Sequence, residues 1–93
     1  MKDQITKEKI DKYRTLTSNA LKIAEGSITK GKEKEAKEII KMVFNYLSDS
    51  KYFEKNKNFV DTFAALNYAH GWIDTGARLG IFDVKDDSLF TIK

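Results

Sequence analysis

Ninety-three residues, 41% of them apolar, with a net charge of +3, read as one small domain (1–93). At this size folding hides only about 60–65% of the surface that the unfolded chain exposes. Cysteine is absent, which excludes disulfides and thiolate metal sites and fits a reducing cytoplasm. The longest apolar run, Phe63-Ala64-Ala65-Leu66, is too short for a membrane span, and Met1-Lys2-Asp3-Gln4 runs straight into charge, unlike a secretion signal.

The first predicted element covers about residues 6–25. Ile10, Tyr13, Leu16, Ala20, Ile23 and Ala24 recur at steps of three and four, the helical period. Gly26-Ser27 weakens the pattern and Thr29-Lys30-Gly31 reads as a turn.

The second element covers about 32–54, with Ala36, Ile39, Ile40, Val43 and Leu47 on one stripe. It either runs on through Tyr52 and Phe53 or breaks at Ser48-Asp49-Ser50. Its polar side carries Lys30, Lys34, Lys37 and Lys41 at helical spacing. Of the 17 basic residues 14 fall within residues 1–58, against 9 of the 14 acids. Such a stripe can follow phosphates along a nucleic acid. Glu33, Glu35 and Glu38 interrupt it, however, and no aromatic is interleaved to stack on bases. An ordinary solvated helix face has the same pattern.

The third element covers about 58–79. Asn58 is a good N-cap, Asp61 places a carboxylate in the first turn, and Gly80 is a natural C′ residue. Phe59, Phe63, Leu66, Ala69, Ile73, Gly76 and Ala77 form a broad apolar stripe, widened by Ala65, Trp72 and Leu79. The opposite side carries Val60, Ala64, Tyr68, Gly71 and Thr75 where charge would be expected. A helix apolar or small all round is normally buried all round. The tail or a second chain is therefore expected to cover that side. Gly71 and Gly76, each costing about 1 kcal/mol relative to alanine, suggest close packing or an approaching group.

On the same helix Asn67, His70, Asp74 and Arg78 succeed one another at steps of three, four and four. They form either a polar site, with a base, its orienter and an anion-binding arginine, or a structural network fixing helix packing. No serine, threonine or tyrosine is clearly placed as a nucleophile beside His70. With one histidine and no cysteine, no metal is expected. The five glycines are scattered rather than grouped into a phosphate loop, and no cofactor is expected. The tail, 80–93, pairs Ile81-Phe82-Asp83-Val84 with Leu89-Phe90-Thr91-Ile92 across Asp86-Asp87-Ser88, as a small hairpin or an extended strap.

The run Asn67-Tyr68-Ala69-His70-Gly71-Trp72-Ile73-Asp74-Thr75-Gly76-Ala77-Arg78-Leu79-Gly80-Ile81-Phe82, with Phe63-Ala64-Ala65-Leu66 before it, Tyr52-Phe53 upstream and Leu89-Phe90-Thr91 behind, resembles the archaeal domain of unknown function 357 family. The likeness covers roughly residues 35–92. It implies an archaeal cytoplasmic source and a compact helical domain, and it supplies no activity, cofactor or catalytic residue.

The sequence therefore predicts an all-α, three-helix bundle with a short extended or hairpin-like C-terminal tail. Its expected role is that of a non-catalytic interaction module, docking on a protein or on itself without a membrane. The candidate surface is Val60, Ala64, Tyr68, Gly71, Trp72 and Thr75, with Tyr68 and Trp72 as anchors. The alternatives are weak nucleic-acid binding through the lysine stripe and a small-ligand or enzymatic site around His70, Asp74 and Arg78.

Overall fold

The structure, a computed structural model, describes residues 4–85 and consists of three packed helices, α1 (Lys7–Glu25), α2 (Glu33–Lys55) and α3 (Phe59–Arg78). The all-α reading holds, and the ends lie within about a residue of those predicted from periodicity, the usual scatter of helix termini. Thr6 caps α1 by accepting a hydrogen bond from the Lys9 N–H, and Asn58 caps α3 through the Asp61 N–H. Lys32, which precedes α2, makes no side-chain cap. There the Glu33 carboxylate reaches back to the Gly31 N–H instead.

Of the two readings of α2, the continuous one is correct. Ser50 is fully buried, and its hydroxyl donates to the Leu47 carbonyl within the helix at 2.7 Å. Its hydroxyl is thus satisfied without leaving the helix, and Ser48-Asp49-Ser50 lies within the unbroken α2.

The helix α3 packs against both of its neighbours, whereas α1 and α2 scarcely meet. Ala20, Leu21 and Ala24 of α1, Ala36, Ile39 and Val43 of α2, and Ala69, Ile73 and Ala77 of α3 converge on one core. The chain leaves α3 through a Schellman turn, in which the Gly80 N–H bonds to the Ala77 carbonyl and the Ile81 N–H to the Gly76 carbonyl. Gly80 takes φ +76°, the left-handed region that suits glycine.

This turn sends Ile81, Phe82 and Val84 back into the core, where all three are buried. Phe82 forms an antiparallel bridge with Ile28 of the α1–α2 connection. The Thr29 N–H donates to the Ile81 carbonyl and the Asp83 N–H to the Ser27 carbonyl. The first arm of the expected hairpin is thus an extended strap paired with that connection; the second arm, Leu89–Ile92, lies outside the described residues.

Candidate functional site

The outward side of α3 is open. Val60, Ala64, Asn67, Tyr68, Gly71 and Thr75 are all exposed, so the described part of the tail does not supply the cover expected for this side. The physical reason is geometric. Two neighbouring helices can touch only part of the circumference of α3, and the described part of the tail inserts at the core rather than lying over this side.

Five of these residues, Ala64, Asn67, Tyr68, Gly71 and Thr75, line a groove of about 640 Å³ together with Trp72. Five of the six residues singled out as a candidate surface therefore lie in one groove, and Val60 continues it toward the start of the helix. Beside it a smaller hollow of about 340 Å³ shares Ala64 and Tyr68 and is bounded by Tyr46, Asp49 and Phe53 of α2 and by Asp61. Tyr68 lines both, and its ring stacks on Tyr46, with centroids 5.3 Å apart and planes 21° from parallel. That contact holds a large exposed ring in place from one side. The Thr75 hydroxyl donates to the Gly71 carbonyl at 2.9 Å, so it is satisfied within the helix.

The two glycines of α3 differ. A Cβ on Gly76 would collide with Phe82, whereas a Cβ on Gly71 would meet no atom within 4 Å. Tight internal packing therefore accounts for Gly76 and not for Gly71, whose missing side chain deepens the groove.

Of the four polar residues of α3, His70 and Asp74 are brought together. Asn67 lines the groove, and Arg78 is exposed at the far end of the helix. His70 and Asp74 come together on the α1 side, with Nε2 3.7 Å from Oδ1. Thr17 of α1 lies 3.1 Å from the other ring nitrogen, Nδ1. A hydroxyl does stand beside His70, contrary to the sequence expectation, and it was missed because it comes from 53 residues upstream. Hydroxyl, imidazole and carboxylate in sequence are the parts of an activated nucleophile. Thr17, however, is fully buried, so no substrate atom reaches its oxygen in this arrangement. As built, the three residues tie α1 to α3.

A second cross-helix cluster was not anticipated. Arg14 of α1 donates to the Glu54 carboxylate and, at 3.0 Å, to the Ser50 hydroxyl of α2. Lys7 reaches the other Glu54 oxygen at 3.1 Å. Hydrogen bonds from Arg14 and then Lys7 hold the Glu54 carboxyl below the ordinary glutamate range. The available signal was Arg14 itself, the one arginine among the basic residues of positions 1–58, since a planar fork serves two acceptors where lysine serves as a point charge.

Lys30, Lys34, Lys37 and Lys41 are all exposed, with Glu33, Glu35 and Glu38 exposed among them. Phe44, half exposed, follows Lys41 on the same face. Among the described residues no group of three or more His, Cys, Asp or Glu could hold a metal ion, and no helix is long and apolar enough to cross a membrane.

Residues 12–82 match the family model described as Protein of unknown function (DUF357). No curated protein and no solved structure matches the chain.

Proposed function

The chain belongs to the DUF357 family, whose description assigns no activity, and from its surface we propose that it is a non-catalytic docking module receiving a helix of a protein partner in the groove of α3. The observation that supports this most is the lining. Tyr68 is 63% exposed and Trp72 37% exposed, side by side with Ala64, Gly71 and Thr75, small residues that leave room for an incoming side chain. Large aromatics next to recesses are the usual carriers of interface energy, and a straight groove along one helix suits a second helix laid beside it. A cytoplasmic location and an archaeal source belong to the same reading. The absence of cysteine supports the first and the family resemblance supports the second.

The test is site-specific photo-crosslinking of the full chain in cells, with a photoreactive phenylalanine analogue placed at Tyr68 or, as a control, at the exposed Lys12 of α1. A protein adduct formed from position 68, absent from position 12 and lost when Gly71→Leu fills the groove, is the expected result. Equal adducts from both positions, or none from position 68, overturn the reading.

A further inference from the structure

We propose that the outer face of α2, apart from the groove of α3, binds single-stranded nucleic acid. The unbroken course of α2 from Glu33 to Lys55 carries the inference. At 3.6 residues per turn it brings Lys34, Lys37 and Lys41 into line with Phe44, and these with Lys51, Tyr52 and Lys55, all within about 100° of arc. Each of them is exposed, on the side away from the buried Ala36, Ile39, Val43 and Ser50. The lysine stripe therefore runs the length of the helix, about 30 Å. Contrary to the sequence expectation, two aromatic rings stand in it, and a break at Ser48-Asp49-Ser50 would have turned the second one aside.

The acids leave this face clear. Glu35, Glu38 and Asp49 fall outside the arc, on the flank of Tyr46 and the hollow beside α3. Glu33 stands at the edge of the arc, but its carboxylate turns back to the Gly31 N–H. Among the described residues the lysines held in ion pairs are Lys7 and Lys85, so the ammonium groups of this face are uncommitted. A row of such cations fits the regular negative charge of a phosphodiester backbone. Phe44 is 51% exposed and Tyr52 65%, and Phe53 braces the Tyr52 ring edge-on, with centroids 5.9 Å apart. Exposed rings among cations are stacking platforms for unpaired bases. A duplex keeps its bases within its own stack, and an acidic protein surface lacks the alternation of phosphate and base.

Fluorescence anisotropy of the purified full chain with labelled uridine and deoxyuridine strands of about twelve nucleotides tests it. Binding is expected, with log affinity falling against log salt at a slope of about −2 to −3.5, from about −0.7 per phosphate neutralised. Lys37→Glu with Lys41→Glu should weaken it about tenfold or more. The same charge change at the exposed Lys12 and Lys22 of α1 should weaken it far less. Phe44→Ala and Tyr52→Ala should each cost about fivefold or more with helical content unchanged, whereas Tyr52→Phe keeps the ring and should bind like the wild type. Tighter binding of the uridine strand assigns RNA as the occupant, and tighter binding of the deoxyuridine strand assigns DNA.

A chain that binds neither strand at about 0.1 mM in low salt overturns the proposal. So does a duplex of the same length bound as tightly as the single strand, or an affinity indifferent to both alanine variants, since the rings would then take no part. Polyglutamate that competes as well as the unlabelled strand overturns it too, and would make this face a site for acidic protein.

Discussion

The ring of Phe82 occupies the space that a side chain on Gly76 would need. A Cβ at Gly76 would lie 2.5 Å from Phe82 Cε2 and 3.2 Å from Ile39 Cδ1. The contact follows from the local sequence. Gly80 permits the left-handed turn that ends α3, the turn points Phe82 back along the helix, and Gly76 gives the ring a place to lie. Phe82 is the largest fully buried side chain of the described residues, so a glycine that weakens its helix is part of what closes the core.

Gly76 and Gly71 should therefore respond to alanine with opposite signs. Gly71→Ala adds a methyl group in open space and removes the helix penalty, which should stabilise the fold by about 0.5–1 kcal/mol. Gly76→Ala gains the same propensity but must displace Phe82, and overpacking of about 1–3 kcal/mol should leave it less stable than the wild type. Thermal unfolding of both variants checks this, and melting temperatures that shift in the same direction would contradict the assignment of the two glycines.

Lys57, between α2 and α3, has φ +58°. Its N–H bonds to the Glu54 carbonyl and the next N–H, of Asn58, to the Phe53 carbonyl, so it holds the position where a Schellman turn favours glycine. A left-handed conformation costs an L-residue about 1–2 kcal/mol. Lys57→Gly should relieve part of that, raising stability by about 1 kcal/mol, whereas Lys57→Ala keeps the strain and should change little. A glycine variant that melts below the alanine variant would show that the lysine side chain contributes there.

Thr17 and His70 join α1 to α3 with a 3.1 Å hydrogen bond in a part-buried setting. Thr17→Val keeps the shape and removes the hydroxyl, which should lower stability by about 1–2 kcal/mol. Thr17→Ser should retain most of it. Crosslinking from position 68 should be the same in both variants, because the groove lies on the other side of α3. If Thr17→Val leaves stability intact but abolishes the position 68 adduct, the Thr17–His70–Asp74 line acts on the docking surface and is more than a tie between helices.

The helices were legible in the sequence because their determinants are local. Ile10 through Ala24 mark α1 by period alone, and Asn58 and Gly80 name both ends of α3. The groove was partly legible, since Val60, Ala64, Tyr68, Gly71 and Thr75 stood out as a side of α3 without charge. Whether the tail covers that side depends on where it goes, and nothing in the spacing of Ile81 to Val84 says that this strap pairs with the α1–α2 connection. The Thr17–His70 and Arg14–Glu54 contacts span 53 and 40 residues, beyond the reach of any periodic argument.

The Arg14–Glu54 pair predicts how stability depends on acid. The Glu54 side chain is 19% exposed and Arg14 20%, so the pair is neither fully screened by water nor fully desolvated. Arg14 and Lys7 lower the carboxyl pKa in the folded chain, whereas the unfolded chain keeps a value near about 4.3. The unfolded chain therefore binds the proton first. The stabilisation from Glu54 is whole above about pH 4.3 and is lost as the pH falls through the lower folded value. Glu54→Gln should cost about 1–2 kcal/mol at neutral pH, in the range of hydrogen bonds to charged groups, and less at high salt. Denaturant unfolding of both proteins from neutral pH downward should give curves that converge below about pH 4.3. A stability difference that persists unchanged into acid would mean that the glutamate acts through packing and that its charge is dispensable.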